Sequence, residues 1–227
     1  ATFAMVPATM KDAPYDAMRD FSPLSALINT DLVMATGLST PPTLPEFLAW
    51  ASKLPKPPFL GTLGAGTSGH FAGFMLAKAA KFTWEPIHYR SNGDLITAMI
   101  AGDIHAAFVG PSVLQAQIKA GKMRALGVTG VARSAIYPDT PSFGELGYKE
   151  MQFSNWIGIA APAKVPADIL DKLHAEIMTA VNHPQVRAKL LEGGYTIVAN
   201  KRDAFTEGVR KDVALWADMV KVTGFKV

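Results

Sequence analysis

Apolar residues recur along this chain with two periods, and the periods alternate. Short apolar runs of strand length fall at 32–36, at Phe59-Leu60, and at 87–89, 106–109 and 125–129. Between them lie stretches whose apolar positions return every three or four residues. The first is 43–52, opened by Pro41-Pro42 and closed by Lys56-Pro57-Pro58, with Leu44, Phe47, Leu48 and Ala51 on one side. The others are 71–80, then 94–101 ended by Gly102, then 112–120 with Ser112 as N-cap and Gly121 just past the end. This alternation predicts an α/β fold with a largely parallel sheet.

Later the pattern changes. The stiff turn Pro138-Asp139-Thr140-Pro141 precedes a short predicted helix at 143–146, and 153–160 reads as a strand leaving this unit. Three predicted helices close the chain. The first, 166–182, opens with Pro166 and carries Ile169, Leu170, Leu173, Ile177 and Val181 at helical spacing. The second, 185–191, stops at Gly193-Gly194, and the third, 203–222, has a stripe of Phe205, Val209, Val213, Trp216 and Val220. Residues 38–148 then form one βα lobe. The flanks, 1–37 and 149–227, form a second that the chain leaves and re-enters. Two crossings between the lobes make a hinge.

Composition narrows the chemistry. The chain carries 22 basic and 19 acidic residues, a formal charge of +3, but the basic residues are scattered. No nucleic-acid or membrane patch is expected. The absence of cysteine excludes disulfides, thiolate metal sites and a Cys nucleophile. No apolar run reaches the length of a membrane span. The opening Ala1-Thr2-Phe3-Ala4-Met5-Val6-Pro7 has neither a charged n-region nor an h-region. It reads as the end of a strand running into a loop, and the chain is expected to lack its natural beginning.

The most informative chemistry is at 61–70, Gly-Thr-Leu-Gly-Ala-Gly-Thr-Ser-Gly-His. A small-residue loop feeding a helix leaves first-turn amides available, and with the helix dipole these bind an anion. Gly64, Gly66 and Gly69 lack a Cβ, so a charged group can approach the main chain. The same three glycines satisfy the dinucleotide pattern G-x-G-x-x-G, with Arg90 placed for a 2′-phosphate. A plain surface turn is a further reading. Ser68 and His70 sit two apart, where side chains diverge, and the G-x-S-x-G elbow is absent, so no catalytic set is expected. His88, His105, His174 and His183 fall at unrelated spacings and suggest no metal site. The tryptophans 50, 84, 156 and 216 read as packing residues, Trp156 with a chance to line a cleft. Gly110-Pro111-Ser112 repeats the strand-to-helix logic on what should be a neighbouring strand, where an ordinary N-cap is the alternative.

Several segments together resemble one family. Pro14-Tyr15-Asp16 with Asp20-Phe21-Ser22-Pro23, the 64–70 loop, and Ala120-Gly121-Lys122-Met123-Arg124-Ala125-Leu126-Gly127-Val128-Thr129 are three of them. Arg133 with Pro138-Asp139-Thr140-Pro141 and Glu145-Leu146-Gly147, then Trp156-Ile157-Gly158 with Ala161-Pro162-Ala163, are two more. In this order they resemble the extracytoplasmic solute receptors of tripartite tricarboxylate transporters, the Bug proteins. The resemblance implies a two-lobed α/β architecture of the type II periplasmic-binding-protein kind, each lobe a sheet flanked by helices. It implies a periplasmic receptor without cofactor or catalysis that closes on a small carboxylate and delivers it to membrane permease subunits. The carboxylate would be a di- or tricarboxylate, an acidic amino acid or an aromatic acid.

Carried onto this chain, the resemblance makes Thr62, Gly64, Ala65, Gly66, Thr67, Ser68 and His70 ligand contacts of the second lobe. Gly110, Pro111 and Ser112 are further candidates, and Thr2 and Phe3 align with the end of a first-lobe strand bordering the cleft. Two positions depart from the pattern. Arg90 replaces a lysine, and Gly110 stands where Asp or Asn is common. The family's opening strands and first-lobe Gly-rich loop would precede Ala1. The first lobe is therefore expected to be incomplete, with strand edges and apolar surface that self-association could cover. An NADP-dependent reductase using the 64–69 loop and Arg90 is the competing reading, and a pure interaction protein a third.

Overall fold

The structure, a computed structural model, describes residues 2–10 and 12–223. It divides into two compact units, Ala1–Thr30 with Asn155–Val227, and Asp31–Ser154.

The chain opens with helix α1 (Thr2–Thr9), where the sequence suggested the end of a strand. Pro7 lies inside it and has no N–H for the carbonyl four residues back, that of Phe3. The Tyr15 hydroxyl donates to that oxygen instead, at 3.1 Å. Buried Ala4 and Met5 are part of the reason this segment coils onto its unit. Strand β1 (Phe21–Thr30) follows. Periodicity did not predict it, because Pro23 and three hydroxyl residues interrupt the apolar pattern. Pro23 is accommodated at a register shift in the ladder. Ser25 is satisfied by donating to the Asn200 carbonyl at 2.9 Å.

The second unit runs β2 (Val33–Gly37), α2 (Leu44–Ala51), β3 (Phe59–Thr62), α3 (Ser68–Ala79), β4 (Glu85–His88), α4 (Asn92–Ala101), β5 (Ala106–Val109), α5 (Pro111–Lys119) and β6 (Met123–Val128). Its sheet has the order β4-β3-β5-β2-β6. β3 is parallel to β4 and β5, whereas β2 is antiparallel to β5 and β6. The expected largely parallel sheet is thus mixed. The unit β5-α5-β6 leaves a gap between its strands, and β2 fills it in the opposite direction. A strand buried on both faces must be apolar on both faces, and Val33, Met34 and Ala35 are fully buried there.

That placement moves the unit's borders outward from 38–148. β2 belongs to this sheet. The 149–154 segment is tied to it through Met151 in the core and the Phe153 amide on the Thr129 carbonyl at 2.8 Å. Alternate strand residues feed two cores, one on each face. Met34, Phe47, Leu60, Leu76, Phe108 and Phe143 pack in one; Val33, Ala35, Leu95, Met99, Ile104 and Leu114 pack in the other. The short helix expected at 143–146 is a set of turns. Gly147 takes φ +92°, and the Phe143 amide bonds the Val128 carbonyl at 2.9 Å, drawing the segment to the sheet.

The chain then adds β7 (Asn155–Pro162), α6 (Ala167–Asn182), α7 (Pro184–Glu192), β8 (Thr196–Ile197) and α8 (Arg202–Thr223) to the first unit. Its sheet is antiparallel throughout, in the order β7-β1-β8. Phe205 and Val209 of α8 pack on Ala26, with Phe3 and Trp156 against them. Among the described residues no helix is long and apolar enough to cross a membrane.

Candidate functional site

Three parallel strands bring their carboxyl ends to one edge of the five-stranded sheet. The register pairs Thr62 with His88 and Gly61 with Ala107. Each strand turns almost at once into a helix: β3 through 63–67 into α3, β4 through 89–91 into α4, and β5 through Gly110 into α5. From β3 the chain moves outward to β4 and then returns across to β5. The strand order therefore reverses between β3 and β5, the position where open α/β sheets take ligands.

The 63–67 loop is held by its own side chains. Gly64 and Gly66 take φ +139° and +73°, conformations that side-chain-bearing residues rarely adopt. A Cβ on Gly69 would lie 2.5 Å from the Phe108 carbonyl oxygen, so the start of α3 presses directly on β5. Thr67 caps α3, its Oγ1 accepting from the His70 amide at 3.4 Å and donating to the Gly64 carbonyl at 2.9 Å. Thr62 is buried; its Oγ1 accepts from the Gly64 amide at 3.3 Å and also bonds His88 Nδ1.

His70 is 4% exposed, and its Nδ1 accepts from the Gly66 amide at 3.1 Å. Burial, and secondly the field of His88, lower its pKa to about 4. The imidazole is therefore neutral at pH 7, with its proton on Nε2 because Nδ1 accepts. Its ring meets Phe74 edge-on at 4.8 Å between centroids and His88 at 5.5 Å.

These bonds revise the expectation of freely available loop amides. Those of Gly64, Gly66, Thr67 and His70 are engaged within the loop. The amides of Ala65 and Gly69 donate to nothing among the described residues. Ser68 opens α3 at the same corner. In the adjacent corner Gly110 is the N-cap of α5 without a side-chain bond. Pro111 has no amide hydrogen, is buried, and its carbonyl accepts from the Tyr137 hydroxyl at 2.7 Å, so it offers no donor. Ser112 follows in the first turn of α5.

Thr2 and Phe3 belong to the other unit. They are residues of α1 in the first unit and do not end a strand. The Phe3 ring belongs to an aromatic cluster, 5.1 Å from Phe21 and 6.2 Å from Trp156. Trp156 lines an apolar groove of about 220 Å³ with Phe3, Phe21 and Phe205, within the first unit.

Three residues of the edge were not legible in the sequence. His88 reaches Thr62 only through the β3–β4 register. Ser91 caps α4, accepting from the Asp94 amide at 3.2 Å. Asp31 precedes β2 at the same edge, half-buried, accepting from the Ser154 hydroxyl; burial raises its pKa. Arg90, beside Ser91, is exposed. His105 and His174 are occupied by main chain, through the Phe59 amide at 2.7 Å and the Leu24 carbonyl at 3.1 Å. Among the described residues no three His, Asp or Glu side chains are grouped to hold a metal ion.

The sequence matches the Tripartite tricarboxylate transporter family receptor (TctC) over residues 1–225, and the chain belongs to that family. The UPF0065 protein of the tcbD-tcbE intergenic region of Pseudomonas sp. (strain P51) is 26% identical over 210 residues, 91% of this chain and 62% of that protein. Protein BugT of Bordetella pertussis is 27% identical over 234 residues, 100% of this chain and 70% of BugT. The chain thus spans less than two thirds of the length of the first of these relatives. A periplasmic transporter of known structure superposes with TM-score 0.89 at 27% identity, covering 99% of this chain and 76% of the other. The fold is shared with R. palustris Rpa4515 with adipate (TM-score 0.88, 18% identity, 99% and 76% covered). It is also shared with MatC from Rhodopseudomonas palustris with bound malate (0.82, 21%, 96% and 74%).

Proposed function

We propose that this chain is the solute-binding part of a tripartite tricarboxylate transport system. It holds a small carboxylate at the carboxyl edge of the five-stranded sheet and passes it, chemically unaltered, to membrane permease subunits from the periplasmic side. The observation that carries this reading is the loop before α3. Among the described residues two amides, of Ala65 and Gly69, have no acceptor, on a corner beside a helix N-terminus at the point where strand order reverses. Adipate and malate, both dicarboxylates, accompany two proteins of the same fold. A hydrogen bond to a carboxylate contributes about 1.5–3 kcal/mol. Micromolar affinity needs about 8 kcal/mol, so two direct amides require further donors, and the α5 corner at Gly110 and Ser112 is the proposed source.

The glycine loop also has the form of a pyrophosphate cradle, which sets the decisive comparison. Thermal shift and calorimetry with malate, adipate, citrate, an aromatic acid and NADPH test it. Stabilisation by at least one of the acids and none by NADPH is expected. Stabilisation by NADPH alone overturns the receptor reading in favour of a reductase. One surface adds a second element. Strand β7 carries no charge and pairs with β1 alone among the described residues, with Ile157 and Ile159 exposed. Such an edge favours self-association, and light scattering that shows a stable monomer at high concentration excludes it.

A further inference from the structure

The loop's hydrogen bonds form a continuous series across three elements. It runs from His88 Nδ1 on β4 to Thr62 Oγ1 on β3, to the Gly64 amide, and from the Gly64 carbonyl to Thr67 Oγ1. Thr67 Oγ1 then accepts the His70 amide, and the His70 ring folds back to accept the Gly66 amide. Every bond in the series but one has a side chain at one end and main chain at the other. The side chains of Thr62, Thr67 and His70 therefore hold the loop's shape.

Within that series we propose that His70 is a positioning residue of the anion site. Its Nδ1 holds the Gly66 amide and thereby fixes the direction of the preceding Ala65 amide, beside the Gly69 amide that the first turn of α3 presents. The inference rests on the carboxylate reading only for its consequence in binding; the pinning itself is a property of the ligand-free chain. The chemistry requires an acceptor at Nδ1. A protonated imidazole has donors at both nitrogens, so Nδ1–H would face the Gly66 N–H and the bond would be lost. Burial opposes that protonation, as does His88, the titratable group facing the ring from β4. Phe71 and Phe74 of α3 and the main chain of the loop are further neighbours among the described residues. The ring is thus kept in the one state that can accept.

The test uses the ligand-free protein. Nitrogen-15 NMR of the His70 ring should show the proton on Nε2, and hydrogen exchange at the Gly66 amide should be slowed. In His70→Asn the side-chain Oδ1 stands close to where Nδ1 stood and accepts at every pH, so protection of Gly66 should persist. In His70→Leu, which has no acceptor, that protection should fall by about tenfold or more. The wild-type Gly66 resonance should move in acid with a midpoint near pH 4, and this movement should be absent in His70→Asn. A ring proton on Nδ1, or equal Gly66 protection in wild type and His70→Leu, overturns the proposal. Should His70→Leu fail to fold, the tautomer and the His70→Asn comparison still decide it. With malate and adipate as probes, His70→Asn should bind within about threefold of wild type and His70→Leu at least about tenfold more weakly. If no variant binds either acid, the carboxylate reading fails while the tautomer and exchange results stand on their own.

Discussion

The two compact units have similar apolar patterning but bury it to different degrees. In the Asp31–Ser154 unit, β3, β5 and β2 have partners on both sides, and cores form on both faces of the sheet. In the other unit the sheet has three strands, one of them two residues long. There α6 buries Leu170 and Val181, while Ile169 and Leu173 of the same stripe are 44% and 41% exposed. Ile157 on β7 is 49% exposed. The difference teaches that periodicity tells which way a side chain faces; a neighbouring layer is what removes it from water.

The largest expected effect lies in the well-covered unit. Phe47→Ala removes a fully buried ring that packs 5.8 Å from Trp84 and should cost about 3–5 kcal/mol in urea unfolding. Leu173→Ala, on the exposed part of α6, should cost less than about 1 kcal/mol. Equal losses would erase the contrast between the units. Trp50 and Trp84 report on one unit and Trp156 and Trp216 on the other, so fluorotryptophan NMR can follow each separately.

Acid should act on the same well-covered unit through His70. Its folded pKa, about 4, lies below the usual 6.5, so between these values the unfolded chain binds the proton and the native chain does not. Stability therefore rises with pH across this window and is lost as pH falls from 6.5 towards 4, by about 3 kcal/mol in full. Urea midpoints at pH 7 and pH 4.5, compared between wild type and His70→Asn, measure it; an unchanged difference between the two proteins would remove His70 as the cause.

Smaller in stability but decisive for the site is Gly66→Val. The position holds φ +73°, so the change should cost about 1–3 kcal/mol and abolish acid binding while the unit stays folded. Unchanged affinity for the acid found in the thermal-shift screen would place the ligand elsewhere. The smallest effect is expected at the outer edge of the three-stranded sheet. Ile159→Lys should alter monomer stability by no more than about 0.5 kcal/mol and reduce any self-association seen by light scattering.

Much of the fold was legible. The strand at 106–109 and the helices α2 to α5 and α6 to α8 stand within about three residues of where apolar spacing, caps and prolines put them. The Gly102 and Gly121 stops take left-handed φ of +89° and +67°, as their positions after helices required. What failed was context-dependent. β1 carries Pro23 and satisfies Ser25 through Asn200, 175 residues away. α1 depends on the Tyr15 hydroxyl to repair the bond that Pro7 cannot make. In the site, the anion-type loop before α3 was readable because glycines, a capping threonine and a helix start are contiguous. His88 was not, because it is 26 residues from Thr62 and meets it only through a parallel register.

By itself the sequence determined which segments coil or extend and where a small-residue corner feeds a helix, because these follow from steric limits and hydrogen bonding within a few residues. Only the tertiary structure decided that β2 fills the gap between β5 and β6, that His70 is buried and neutral, and which loop amides are taken. Those outcomes depend on which layer covers a residue and which distant group reaches it, and local spacing carries no record of either.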